Sequence, residues 1–323
     1  MKLITGANGR VGNYLVRELN RRGERVKVFM RKSSKIRSLE GADCEFVFGD
    51  VLDIESLEKA MDGVDVVFHL AGYINISNTE REKTFQINIQ GSQNVVDVCL
   101  AKNIKLVYAS SIHAFDAPKN GSVITENTAL SLDERKSRGI YDYSKAAATN
   151  YVLEKMQNGL QGIVIYPTGI LGPYDYAPSF FGKGMIELVK SGVKNTIGGR
   201  YDYVDVRDVV DGMLKSVELE KWGESYILSG EVMSMKSYAS YLQELLGIKN
   251  STHILSYPLT VIIGFFESLY NSKSEITVYS VDTLNSNCNI SHQKASFELD
   301  YHPRPARVSV IDQYNWFKEN GYL

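Results

Sequence analysis

The sequence predicts an α/β protein: a doubly wound parallel sheet with a smaller, mostly helical C-terminal lobe. Three observations carry that expectation. Short β-branched runs alternate with amphipathic helical patterns through the first half, as in βαβ units. A glycine-rich turn lies between the first of those runs and the first helical pattern. Beyond Pro167 the alternation gives way to turn-rich, aromatic sequence and then to a mainly helical tail.

The elements follow in order. Lys2–Ile4 reads as the first strand, and Val11, Leu15 and Leu19 give one apolar face of a helix that Gly23 ends. Val26–Met30 and Glu45–Phe48 are the second and third strands, and Ile54, Leu57, Ala60 and Met61 form the next helical stripe. Val64–Leu70 is a fourth strand, nearly all apolar, as expected when helices cover both faces of a sheet. One long helix is expected over about Glu80–Lys102, a fifth strand over Lys105–Ala109 and a polar surface excursion over Ala117–Gly139. A helix from Tyr141 to Gln157 then leads to a sixth strand, Gly162–Tyr166. The aromatic turn Pro173–Phe181 precedes a helix near Lys183–Lys190. A strand–helix–strand return is expected at Tyr203–Val206, Asp208–Val217 and Ser225–Leu228, with mostly helical sequence from Glu231 onward.

Composition narrows the function classes. A chain of 323 residues buries a sizeable core and is long for one compact domain. Apolar and charged fractions of 44% and 23% are ordinary globular values and argue against wholesale disorder. With 36 basic against 38 acidic residues, no broad field draws nucleic acid or an anionic membrane, so any phosphate must be held by a local site. The apolar run Leu259–Phe266 is far short of the ~20 residues that a membrane span needs, and Gly264 and Glu267 break it. It reads as a buried or partner-facing helix. The start of the chain leaves no room for a signal peptide before the glycine-rich turn. Cys44, Cys99 and Cys288 are too widely spaced for a disulfide framework or a metal site, so reduced cysteines, no metal and a cytoplasmic protein are expected.

Thr5-Gly6-Ala7-Asn8-Gly9-Arg10-Val11-Gly12 sits at the first strand–helix junction. Glycines there permit a tight turn and let the backbone and helix N-terminus approach a pyrophosphate. A merely tight turn does not explain three glycines at this spacing, so a Rossmann-type dinucleotide site is expected. The second strand ends in Phe29-Met30-Arg31-Lys32-Ser33-Ser34-Lys35, with no acid to hold a ribose 2′-hydroxyl. A 2′-phosphate would find Arg31, whose planar fork suits phosphate oxygens, with Lys35 or Ser33 beside it. NADP(H) is therefore favoured and NAD(H) stays open, against the plainer reading of a solvated basic helix start. Asp50, followed by Val51 at the end of the third strand, is placed to meet the adenine amino group. Its bland alternative is a helix cap, a role that Asp53 fits better. The division expected is an NADP-binding domain of residues 1–168 and 203–230, with a substrate lobe of 169–202 and 231–323.

Tyr141-Asp142-Tyr143-Ser144-Lys145 contains a YxxxK pair. Residues four apart share a helix face, so Tyr141 and Lys145 address one substrate. A phenol with pKa ~10 is a poor proton shuttle at neutral pH. A neighbouring ammonium, together with any positive nicotinamide ring, is expected to favour the phenolate, and pulling the pKa to about 7 takes about 4 kcal/mol of differential stabilisation. Ser111, at the end of the fifth strand, can hydrogen-bond the reacting oxygen alongside Tyr141. Tyr143 is the internal rival, but position 147 is Ala147 rather than lysine. Substrate-side candidates are His113, Tyr174, Tyr176, Phe180 and Tyr201, which either line the pocket or pack the small lobe.

Taken together, the glycine turn, His69–Gly72 (HLAG), Tyr108–Ser111 (YASS), YxxxK and Pro167–Pro173 resemble the extended short-chain dehydrogenase/reductases, within the NAD-dependent epimerase/dehydratase group. The flavour is similar to dihydroflavonol-4-reductase-like members. The likeness continues through Tyr203–Val209 and Lys294–Pro305 to Asn315-Trp316-Phe317, nearly the whole chain. The resemblance implies a Ser111–Tyr141–Lys145 catalytic triad, with Lys145 also gripping the nicotinamide ribose. It implies that Leu70, Ala71 and Gly72 line the cofactor, that the backbone of Pro167, Thr168, Gly169 and Ile170 holds the carboxamide, and that the chain is a homodimer. Asn88 either holds a proton-relay water or is a buried structural asparagine. Three positions depart from the family pattern: Gly72 for a more usual alanine, Ala109 for threonine or serine, and His113 after the serine pair.

The activity so implied is NADP(H)-dependent reduction of a carbonyl (ketone, aldehyde or CoA-ester type), or oxidation of the matching alcohol. Two other readings stay open: a nucleotide-sugar epimerase or dehydratase using tightly bound NAD, and a non-catalytic NADP-sensing regulator. Arg31 and the missing acid–threonine pair after Ala109 weigh against the first, and retention of the three catalytic groups against the second. For dimerisation, Val95, Val98, Ala146 and Tyr151 are the apolar residues available to pair across a twofold axis.

Overall fold

Buried β-branched runs and amphipathic helices alternate along the chain as the sequence pattern requires. The computed structural model describes residues 1–75, 80–116, 120–250, 252–261, 278–284, 286 and 288–323. The apolar run expected as a helix near Leu259–Phe266, and the polar excursion beginning at Ala117, fall partly outside them.

The strands are β1 (Lys2–Thr5), β2 (Val26–Met30), β3 (Glu45–Phe48), β4 (Val66–His69), β5 (Lys105–Ala109), β6 (Gly162–Pro167), β7 (Gly169–Leu171), β8 (Asn195–Ile197), β9 (Arg200–Asp205), β10 (Ser225–Leu228), β11 (Glu231–Ser234) and β12 (His253–Leu255). Seven of them form one parallel sheet in the order β10-β6-β5-β4-β1-β2-β3. Strand order reverses direction between β1 and β4, which opens a crevice at their carboxyl ends. The helices that position the site are α1 (Arg10–Arg21), α2 (Ile54–Ala60), α3 (Arg81–Phe85), α4 (Gly91–Ala101), α5 (Ile140–Gln157), α6 (Phe180–Lys190), α7 (Val206–Glu218) and α8 (Met235–Leu246). Asp53 caps α2 by accepting from the Ser56 amide, as its spacing predicts.

Two apolar layers sandwich the sheet. On one face Val67, Leu106 and Val164 pack against Val95, Cys99, Ala148 and Val152 of α4 and α5. On the other, Ile4, Val28, Phe68 and Val107 meet Leu15, Val16, Leu19, Val209 and Met213 of α1 and α7. Central strands buried on both faces carry near-continuous apolar sequence for that reason. Val95, Val98 and Ala146 are consumed in this core, and Tyr151 packs on its edge with its hydroxyl on Asp97. Val95, Val98 and Ala146, expected to pair across a twofold axis, have their apolar surface used within the chain, while Tyr151 stays partly exposed.

Three further expectations change. The long helix near Glu80–Lys102 is broken by one π turn, Gln86–Gln90, between α3 and α4. The strand expected at Tyr203–Val206 begins earlier and pairs parallel with β7 and antiparallel with β11, in a separate three-stranded sheet. The segment from Glu231 opens with β11 and later contributes β12, which pairs with β8. These strands have three to six residues and little alternation, so periodicity does not reveal them. A third apolar cluster around Leu171, Tyr201, Tyr203, Leu242, Val310 and Phe317 forms the core of this C-terminal part.

Among the described residues no helix is long and apolar enough to cross a membrane, and no group of His, Cys, Asp and Glu could hold a metal ion.

The β1–α1 turn sets a sharp test of packing. A Cβ on Gly12 would lie 2.3 Å from the Gly6 carbonyl oxygen and 2.6 Å from the Ala7 Cα, both backbone atoms that cannot swing away. Gly12→Ala is expected to cost about 1–3 kcal/mol by overpacking. Gly23, with φ +74° and nothing within 4 Å of its Cβ position, loses only the left-handed preference, roughly 1–2 kcal/mol on alanine substitution. Urea unfolding of both variants, with dinucleotide binding measured alongside, checks the contrast: only Gly12→Ala loses binding.

Candidate active site

The crevice begins where β1 ends. Gly6 has φ +70°, and a Cβ there would lie 2.7 Å from the Ala71 amide nitrogen, so the turn lies directly on the strand that carries Leu70, Ala71 and Gly72. Thr5 Oγ1 accepts from the Ala71 amide and sits 2.7 Å from His69 Nδ1. Burial holds His69 at about 3, far below the usual imidazole range, so it is a neutral structural group bridging Thr5 and Ser92. From this turn a groove of about 410 Å³ runs along the sheet edge. Gly6, Asn8 and Gly9 line its floor, Arg31 and Asp50 its far end, and Leu70, Ala71 and Gly72 its near end. Val51 lies in it too, and Asp50 Oδ1 accepts from the Leu52 amide. A bare backbone cradle with Arg31 at the end that would carry an adenosine ribose fits a dinucleotide.

Some expected residues stand elsewhere. Lys35 is exposed and outside the groove, where Ser34 stands instead. Val11 faces the core. The Arg10 side chain turns away from the cradle: its guanidinium is buried, donates to the Ile170 carbonyl oxygen at 2.6 Å and pairs with Asp175. The sequence reading missed Tyr73, Lys83, Gln86 and Ile87, which form the groove's other wall. Their signal is positional only, since they follow the HLAG strand end.

The chemical end is assembled by β5 and α5. Ser111 follows β5 and is 7% exposed, with its Oγ accepting from the His113 amide. Tyr141 and Lys145 share a face of α5. Lys145 is buried and donates to the Ala109 carbonyl oxygen at 2.7 Å, and burial brings its pKa down to about 8. Ala109 matters here for its carbonyl, not its side chain. Burial pushes Tyr141 up to about 12, a hydrogen bond with Ser111 draws it down, and the Asp142 charge draws it up. Lys145 by itself does not bring Tyr141 down toward 7. The ammonium is spent on a backbone carbonyl, and Tyr141 is a phenol at neutral pH. Asn88 donates to Ser144 Oγ at 2.9 Å and to the Tyr73 carbonyl, and accepts from the Tyr73 amide. Both amide protons and one lone pair of its oxygen are thus used within the protein.

Residues of the second sheet close the far side. Pro167 ends β6; Thr168 Oγ1 donates to Asp202, and Gly169 lies under the Tyr201 ring, where a Cβ would sit 2.8 Å from ring carbons. The aromatic candidates divide. Tyr174 packs on Tyr14 and Tyr176 on Trp316, at 5.1 and 4.9 Å between ring centroids, while Phe180 leans on Phe181. Tyr201 turns inward and meets His113, hydroxyl to Nε2 at 2.8 Å, and the His113 ring stands edge-on to Tyr141. Behind His113 lies Asp142, buried and one residue after Tyr141, which the sequence reading passed over.

The chain matches the model of the NAD dependent epimerase/dehydratase family over residues 2–228. It is 26% identical to sterol demethylase protein B of Methylococcus capsulatus, covering 99% of both chains. It is 27% identical to a 4-hydroxy-2-methyl-3-oxo-4-farnesyl-3,4-dihydroquinoline-1-oxide ketoreductase of Stigmatella aurantiaca, covering 96% of this chain and 94% of that one. The crystal structure of gox2253 superposes with a TM-score of 0.86 at 27% identity, over 100% of this chain and 99% of that one. With its glycine cradle, seven-stranded parallel sheet and YxxxK helix, this chain belongs to the NAD-dependent epimerase/dehydratase family of extended short-chain dehydrogenase/reductases, and is an NAD(P)-dependent enzyme.

Proposed function

We propose that the enzyme reduces a ketone, aldehyde or CoA-ester-type carbonyl with NADPH, or oxidises the corresponding alcohol, through Ser111, Tyr141 and Lys145. The observation that carries this reading is the buried Tyr141 phenol within hydrogen-bonding reach of Ser111, with an ammonium on the same helix face. The ketoreductase relative supports the direction of the chemistry.

When bound, NADPH supplies the hydride to the carbonyl carbon. Tyr141 gives its proton to the carbonyl oxygen, and Ser111 donates a hydrogen bond to the same oxygen as negative charge develops there. Burial keeps Tyr141 protonated beforehand, the state that reduction needs. The phenolate left behind is stabilised by Lys145, which is mostly charged at neutral pH because its pKa lies near 8. The alcohol oxidation runs through the same groups in reverse. Arg31, exposed and lining the groove, would hold the ribose 2′-phosphate and so set a preference for NADPH.

Tyr141→Phe is expected to lower kcat about 10²- to 10⁴-fold, with NADPH binding intact. Ser111→Ala loses about 10²- to 10³-fold. Steady-state assays on a panel of ketones, with fluorescence titration of NADPH, check both; unchanged turnover by Tyr141→Phe overturns the assignment. The reduction rate falls as pH rises through about 8, where Lys145 loses its charge, and Lys145→Met removes that limb. Arg31→Ala weakens NADPH binding about 10- to 100-fold while NADH affinity stays within experimental scatter, measured by calorimetry.

A further inference from the structure

Beside Tyr141 lies a polar cluster that the hydride chemistry does not use. Four segments meet there. Asp142 comes from α5 and His113 from the turn after β5; Tyr201 belongs to β9, and Tyr279 to the helix Val278–Thr283. The Asp142 side chain is only 2% exposed. Its carboxylate lies 3.2 Å from His113 Nδ1 and 3.2 Å from Arg138 Nε, and it accepts from the Tyr279 hydroxyl. His113 Nε2 lies 2.8 Å from the Tyr201 hydroxyl, and its Nδ1 lies 3.3 Å from the Tyr279 hydroxyl. The His113 ring is edge-on to Tyr141 at 5.9 Å between centroids.

A buried carboxylate next to the proton donor is counterproductive on its face. Its negative charge opposes the phenolate that Tyr141 must become. The same carboxylate, however, touches the His113 imidazole. A protonated His113, together with Arg138, offsets the Asp142 charge and places a cation beside the ring where negative charge develops, a side of Tyr141 that Lys145 does not serve while its ammonium is on Ala109. Histidine is the side chain able to make this change between about pH 5 and 8.

We propose that His113, oriented by Asp142 and Tyr201, is a positioning residue that tunes proton donation by Tyr141, so that the enzyme reduces its substrate faster when His113 carries a proton. This rests on Tyr141 being the proton donor. The titratable and charged groups facing His113 are Asp142 and Tyr141 from α5, Tyr201 from β9 and Tyr279 from the helix Val278–Thr283; Arg138 reaches it only through Asp142. A purely structural account is available, in which Asp142 clasps the helix Val278–Thr283 through Tyr279. The two accounts differ in what titrates.

The test compares the wild type with His113→Gln, Asp142→Asn and Tyr279→Phe. The wild-type rate of ketone reduction should rise as pH falls from 8 to 6. His113→Gln should keep only the roughly twofold Lys145 part of that rise, being about 10- to 100-fold slower than wild type at pH 6 and within a few-fold at pH 8, with KM for NADPH unchanged. Asp142→Asn should shrink the step, because the imidazole loses the carboxylate that orients it. Tyr279→Phe, which removes the clasp but leaves the Asp142 and Tyr201 contacts of His113, should keep the step. As a readout independent of turnover, the His113 imidazole resonance is followed by NMR and should change over the same pH range as the rate. A wild-type pH profile retained by His113→Gln, or the same change from Tyr279→Phe as from His113→Gln, overturns the proposal. If Asp142→Asn fails to fold, the His113→Gln profile and the wild-type resonance still decide it. Full activity in Tyr141→Phe would instead bring down the reading on which this one rests, so the two failures are told apart.

Discussion

A guanidinium cannot be left alone in a protein interior, and the placement of Arg10 makes the two parts of this molecule answer to each other. Arg10 opens α1, one residue beyond Gly9, so its backbone belongs to the dinucleotide cradle. Its side chain crosses to the C-terminal part, where Asp175 and the Ile170 carbonyl receive it. Asp175 in turn accepts from the Ser179 amide and hydroxyl, and Ser179 caps α6. Desolvating two charges is costly unless both are paired and hydrogen-bonded, and losing either partner strands the other. The cradle, the turn after β7 and the start of α6 are thereby one mechanical unit, with the crevice between them.

Within that crevice the electrostatics run against simple expectation. A lysine four residues beyond a tyrosine ought to depress the phenol, yet burial dominates and Tyr141 stays protonated. The sign suits reduction, because a donor must hold its proton until the carbonyl oxygen gains charge. It also shows why a second cation would be useful. Lys145 is anchored on the Ala109 carbonyl by a short hydrogen bond, and its charge cannot be at both places at full strength. Desolvation raises the phenol and lowers the ammonium, so at neutral pH the proton to be donated is in place while the ammonium is still mostly charged.

Much of this was written in the chain at short range. β2, β3, β5 and β10 have the limits that their β-branched runs predict, and the TGxxGxxG turn lies where a strand hands over to a helix. What escaped is set by contacts distant in sequence. β7 has three residues and acquires its identity only by pairing with β9, some thirty residues on. The dimer surface imagined for Val95, Val98 and Ala146 vanished into the core because two helices that look amphipathic separately face each other across the same sheet face. Lys145's choice of a backbone carbonyl leaves no mark in residue identity. Asp142 was in plain view inside the YxxxK motif, but its meaning depends on His113, whose partner Tyr201 lies 88 residues further along.

The π turn at Gln86–Gln90 has a consequence for how freely the chain can change length. Asn88 sits in that wide turn and spans two elements, the segment after Gly72 through Tyr73 and α5 through Ser144. One extra residue per turn is what aims its amide both ways while Gly91 passes against Val51. Deleting a single residue there would relax the turn to ordinary α-helix and swing Asn88 by roughly 100°. The spacing of this stretch is thus held as firmly as its composition, and evolutionary drift in it should proceed by exchange of side chains, never by indels.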